Sequence, residues 1–273
     1  MMASLWTSQD EIEALALLEA AQNDDLIGAM LAIEGPSETR ARWCRQLLDR
    51  WAARVRDALG GQPLGGQLLA LRKVMVDDLG LQGEEGDYYH PRNSHLSAVL
   101  ERRRGLPISL CAVWLAVCQH AGLDAEGVGM PGHFIIKVEE QLLDPFHGGR
   151  TLTEAQCAEL CKQITAGKLR WKKSYLDPTP TSAIIERMLR NLIAANARRG
   201  ISDRLYRVVR LMATLNPNAN NELMHARVSE EVGALRLSLE LYQSVAAEHN
   251  GTQQGKIAAM RIPMIQNKLA RLN

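Results

Sequence analysis

Residues 86–150 read GDYYHPRNSHLSAVLERRRGLPISLCAVWLAVCQHAGLDAEGVGMPGHFIIKVEEQLLDPFHGGR, and here the chain's periodicity changes most clearly. Ile108, Leu110, Cys111, Val113, Trp114, Leu115 and Val117 form an apolar run too dense for a surface helix. Pro107 stands where a first helical turn tolerates proline, because its absent N–H would be unpaired there anyway. Gly122 ends the run as a C-terminal glycine does. The spacing predicts a buried helix over 107–121. Residues 125–129, 132–138 and 141–144 then read as short strands separated by turn residues. The order is a buried helix followed by antiparallel strands, with His133 on one strand and Asp144 on the next.

That order resembles the papain-like and transglutaminase-like arrangement, in which a Cys at a helix N-terminus precedes His and Asp on successive strands. The chemistry requires this. The helix dipole and a nearby imidazolium lower the thiol pKa, and the carboxylate orients the ring. At residue level, NSHLSAVLERRRGLPISL (93–110), MPGHF (130–134) and LLDPFHGG (142–149) resemble the signature segments of a bacterial family. That family joins a transglutaminase-like domain to tetratricopeptide repeats, and its members carry the label of invasion-gene regulators. The resemblance runs from near residue 60 to the C-terminus.

One departure governs the functional expectation. Counting back from the Gly122-Leu123 turn places the family's nucleophile slot at Pro107, inside Gly105-Leu106-Pro107. Proline supplies no nucleophile. His133 and Asp144 match the other two triad positions, so the resemblance implies an intact fold with two-thirds of a triad and no catalytic residue. The alternative nucleophile is Cys111, one turn deeper and about 40° further round the helix. A buried helical Cys acts mainly as a small hydrophobe. Ser109 reads as a helix-start hydroxyl. His133 is either a groove residue kept for binding or a hydrogen-bonded remnant. Asp144 is either its orienting partner or a turn-capping residue before Pro145.

The loop over 83–94 brings Tyr88, Tyr89, His90 and Asn93 together, and the resemblance places it at the groove mouth. Tyr88, Tyr89, Asn93, His133, Asp144 and His147 are therefore the candidate binding residues. The bland reading of the two tyrosines is that they pin a long loop. His147 lies in a Gly148-Gly149 turn that faces the same groove.

Composition narrows the partners. A net charge of +1 gives no global field for nucleic acid or acidic membrane. The Arg102-Arg103-Arg104 run reads as solvated or salt-bridged rather than as a phosphate site. The N-terminal stretch lacks a charged region followed by an apolar core, and no run is long enough to span a bilayer. Five cysteines without paired short spacings exclude a disulfide framework. Cys157 and Cys161 share a helix face near His147, but no second cluster supports a metal, so neither metal nor cofactor is expected. These readings point to the cytoplasm.

Around the core, residues 37–58 carry Trp43, Leu47, Trp51 and Val55 at four-residue intervals, the stripe of a docking helix. Residues 151–170 read as a helix starting at Thr151 or Thr153. The stiff segment 177–180 reads as a boundary. Beyond it all is helical, and helix ends at Asn216 and Asn250 stand 34 residues apart, the tetratricopeptide period. The expectation is a helix-rich α+β chain: an N-terminal helical segment (1–65), a transglutaminase-like core (66–177) and a tetratricopeptide-like helical domain (178–273). Its expected function is non-catalytic binding of a protein or peptide in a regulatory or scaffolding role, without membrane or nucleic acid. The alternative is a hydrolase or transamidase using Cys111 with His133 and Asp144.

Overall fold

The computed structural model describes residues 8–272; the stretch 1–7, read above for a leader, lies outside them. The described chain forms two compact units. One comprises helix α1 (Ser8–Gln22) with the residues from Leu189 onward, and the other spans residues 23–188.

The unit of residues 23–188 opens with α2 (Leu26–Glu34), α3 (Glu38–Leu59) and α4 (Leu64–Arg72), the last continuing as a π-turn over Lys73–Asp78. Strand β1 (Gln82–Gly83), helix α5 (Leu96–Arg102) and strand β2 (Arg104–Gly105) lead into α6 (Pro107–Ala121). Four strands follow, β3 (Ala125–Val128), β4 (Ile135–Val138), β5 (Gln141–Asp144) and β6 (Arg150–Leu152), then α7 (Glu154–Ile164).

Helix α6 begins at Pro107 and ends at Gly122, whose φ of +87° closes the last turn. Thirteen of its fifteen residues are buried, so it has no polar face and must be covered all round. Leu48, Trp51 and Val55 of α3 cover one side, and Phe134, Ile136, Val138 and Leu143 of the sheet region cover another. The inner face of α3 differs from the four-residue stripe. Trp43 is exposed, and Cys44, Leu48, Trp51, Ala52, Val55 and Leu59 point inward. A four-residue repeat drifts about 40° per step on a 3.6-residue helix, so one stripe of that period does not stay on the core.

The sheet is antiparallel in the order β3-β4-β5-β6, with Ala125 opposite Val138, Ile136 opposite Leu143 and Asp144 opposite Arg150. Strand β6 corrects the expected helix start at Thr151: residues 150–152 return along β5, and the helix begins at Glu154 behind a Thr153–Gln156 capping box. The return requires glycine at 149. Its φ is +65°, and a Cβ there would lie 2.6 Å from the Trp114 ring. At the other edge of the sheet, the Thr179 N–H donates to Gly127 O (2.8 Å) and the Gly129 N–H to Thr179 Oγ1 (2.7 Å). The segment read as a boundary thus covers the β3 edge, and the compact units divide further on, within α8 (Thr181–Arg199).

In the other unit, α9 (Ser202–Leu215), α10 (Ala219–Glu231), α11 (Leu235–Glu248) and α12 (Gln253–Ala270) follow one another through short turns. Asn218 caps α10 and Thr252 caps α12, 34 positions apart (252 minus 218). Leu223, Ala226, Leu241, Tyr242, Val245, Ala258 and Ile265 form its core. Helix α1 is tied to α9 by ion pairs, Glu13 accepting from Arg207 and from the buried Arg210, both at 2.8 Å.

Helix α5 has no side-chain cap of its own at His95. Glu34, at the end of α2, supplies one: the Ser97 N–H and hydroxyl donate to its carboxylate at 2.6 and 2.7 Å. Replacing the carboxylate by an amide, Glu34→Gln, is expected to cost about 1–3 kcal/mol. Urea denaturation checks this, and an unchanged midpoint would show that α5 needs no cap from α2.

Candidate functional site

The site is assembled by the head of α6 and the β4–β5 hairpin. Extending the β4–β5 register sets Asp144 opposite Ile135, one pleat repeat from His133, so both side chains fall on one face. His133 Nε2 lies 3.0 Å from Asp144 Oδ1, and both side chains are buried. Chain punctuation then brings in a second imidazole. Pro145–His147 forms a 3-10 turn, and His147 Nδ1 comes within 2.6 Å of Asp144 Oδ2. The His147 N–H donates to Asp144 Oδ1 (3.4 Å), so Asp144 both caps this turn and holds His133. Arg150, across from it on β6, lies 3.4 Å from Oδ2. Burial alone would raise the Asp144 pKa. The hydrogen bonds from His133 and His147 outweigh it and hold the carboxyl below its usual range, as an anion.

Pro107 occupies the first turn of α6, behind Leu106 as N-cap. Cys111 is fully buried, and its thiol donates to Phe134 O at 3.4 Å. Burial pushes this thiol well above its ordinary pKa; the Asp144 charge pushes the same way, and Arg187 opposes both. Among the described residues no hydrogen bond joins Cys111 to His133. The Ser109 hydroxyl is spent on Asn93 O (2.6 Å) and Leu106 O (3.1 Å).

The candidate residues therefore separate into groups. His133, Asp144 and His147 are joined directly. Asn93 is fully buried within its loop, donating to Asp87 O and Tyr88 O and accepting from Arg102, so it knits the loop rather than lining a groove. Tyr88 and Tyr89 are partly exposed, their rings edge to face at 5.3 Å. The basic run is consumed internally at two of its three positions: Arg102 pairs with Glu84 at 2.8 Å, and Arg103 stacks over Trp51 at 4.3 Å.

Two contributors escaped sequence reasoning. Phe146 packs edge to face against both imidazoles, and a Cβ at Gly83 would lie 2.7 Å from its ring, so residue 83 has room for no side chain. Arg187, on α8, donates to Met130 O (3.1 Å) and His133 O (3.0 Å) and lies over the Phe134 ring. No local signal marks Arg187, because its partners lie more than fifty residues back along the chain.

His133, Asp144 and His147 bring potential metal-ligand atoms within 4.8 Å of one another. A cation there would have to break both imidazole–carboxylate hydrogen bonds beside the Arg150 guanidinium, so the set reads as a hydrogen-bonded network. Cys157 and Cys161 are buried on α7, Cys157 among Val128, Ile135 and Leu152, which is packing and not a ligand set.

A family model described as the transglutaminase-like superfamily matches residues 42–190. A UPF0162 protein of Xylella fastidiosa is 32% identical over 196 residues, covering 67% of this chain and 70% of that one. A UPF0162 protein of Pseudomonas aeruginosa is 34% identical over 112 residues, 40% of this chain and 41% of that one. Human F-box only protein 21 is 29% identical over 189 residues, 63% of this chain and 27% of that one. No solved structure matches.

Asp144→Asn is expected to cost about 3 kcal/mol at neutral pH, because two imidazoles lose a buried anion. A carboxyl whose folded pKa is depressed stabilises fully above its unfolded value, near ~3.9, and loses that contribution as pH falls through the folded value. The stability gap between wild type and Asp144→Asn is thus expected to close on acidification below about pH 4. Denaturant titrations across pH check it, and a gap that widens in acid would mean the carboxyl is held protonated.

Proposed function

Because the chain belongs to the transglutaminase-like superfamily, and because proline heads α6, we propose that it is a non-catalytic member that binds a protein or peptide. In this reading the surface around His133, Asp144 and His147, with Tyr88 and Tyr89, recognises an extended chain rather than cleaving it. The helices α9–α12, with caps at the tetratricopeptide period, serve as a second protein-binding element in a regulatory or scaffolding role. Five buried, unpaired thiols support a reducing compartment, the cytoplasm. No helix among the described residues is long and apolar enough to cross a membrane.

The observation that carries the proposal is the state of Cys111. A thiolate is the nucleophile, and it forms at partly exposed, electropositive sites. Cys111 is sealed, bonded to a backbone carbonyl and held protonated by burial. The histidine–carboxylate pair that would serve it is satisfied within itself.

Iodoacetamide at neutral pH is expected to label none of the five cysteines of the folded protein and all five after denaturation. Rapid labelling of Cys111 in the folded state, lost in His133→Ala, would overturn the proposal and make the chain a thiol hydrolase or transamidase.

A further inference from the structure

Arg187 is a part-buried cation held by carbonyls and a ring face. Arg40 pairs with Glu34 and Arg102 with Glu84, whereas Arg103 rests on the Leu100 carbonyl and the Trp51 ring. Arg187 is drawn inward between the buried Ile184 and Met188, yet among the described residues no carboxylate lies within ion-pair distance of it. Its partners are two carbonyl oxygens, Met130 O and His133 O, and the face of Phe134 at 5.5 Å. Carbonyls accept hydrogen bonds but leave the charge uncompensated. The groups that act on it electrostatically are the Tyr88 phenol and the Cys111 thiol, both neutral at pH 7. A guanidinium has five N–H donors, so after these two carbonyls it retains donors for a ligand.

We propose that Arg187 anchors a carboxylate-binding site beside His133, and that it takes an acidic side chain or the free C-terminus of a bound peptide. The inference deepens the reading of this surface as a recognition groove and rests on it. One planar, singly charged fork matches one carboxylate in shape and charge. A phosphate dianion would leave one of its two charges unmatched by this single guanidinium.

The test is a titration of the full chain followed by proton–nitrogen NMR of the arginine side chains, with the Arg187 signal assigned from Arg187→Lys. At constant ionic strength and against a chloride control, the probes are acetate, phosphate, the tripeptide Ac-Ala-Glu-Ala-NH2, its Gln analogue with the same blocked end, and that Gln analogue with a free C-terminal carboxylate. The expected result is a saturable shift of the Arg187 signal with acetate and binding about tenfold tighter for one of the two carboxylate-bearing peptides. The blocked Gln peptide is expected to be silent. Which carboxylate peptide binds tighter identifies the source as side chain or C-terminus. No saturable shift with any carboxylate, or a stronger response to phosphate, would overturn the assignment. Both results are read on the wild-type protein and survive a poorly folded variant. Arg187→Gln is expected to lose the response, and Tyr88→Phe to weaken it. A reactive Cys111 would sink the non-catalytic reading while leaving this result standing; a silent Arg187 beside an inert Cys111 would sink this inference alone.

Discussion

A helix with no polar face has to be enclosed, and the unit of residues 23–188 is the enclosure of α6. Thirteen buried residues in fifteen mean that each element nearby is placed by what it covers. Helix α3 closes one side with Leu48, Trp51 and Val55, and the sheet region closes another with Phe134, Ile136 and Leu143. At roughly 25 cal/mol per Å² of apolar surface removed from water, this enclosure is the dominant favourable term for the unit. The polar groups near α6 are arranged around that fact. The Ser109 hydroxyl and the Cys111 thiol reach carbonyls, because an unpaired buried donor is costly.

The same enclosure underlies the proposed non-catalytic reading. A nucleophile for acyl transfer needs a partly exposed, electropositive helix head, and the head of α6 is the buried Pro107. The thiol one turn deeper is inside the wall. The polar network turns inward on Asp144, which satisfies two imidazoles, a backbone N–H and a guanidinium contact at once. Such a network fixes the geometry of the hairpin mouth, which serves recognition in the proposed reading.

Much of this was legible because it is local. Pro107 and Gly122 bound α6 by backbone chemistry, and the turn residues between 129 and 149 outline β5, which carries Asp144, while β4 starts at Ile135 and leaves the expected strand residue His133 just ahead of it. What was not legible depends on partners distant in the chain. Three residues of β6 are too few to show a period, and their identity as a strand comes from pairing with β5. Asn93 looks like a binding residue by its loop and composition, but Asp87 O, Tyr88 O and Arg102 claim it. Trp43 fits a stripe on paper and leaves it by the drift of the helix. Arg187 belongs to the site through contacts more than fifty residues back along the chain, which no local pattern encodes.

The cysteines carry one more consequence. All five lie inside the fold without a disulfide. Peroxide and glutathione disulfide attack accessible thiolates, and burial denies them both the path and the ionised sulfur. A chain built this way holds its shape through a burst of oxidant that would cross-link or cap an exposed thiol. Its thiols become substrates only after local opening, so cysteine oxidation tracks how the fold opens, while the exposed Met260 and Met264 thioethers stay open to oxidant throughout.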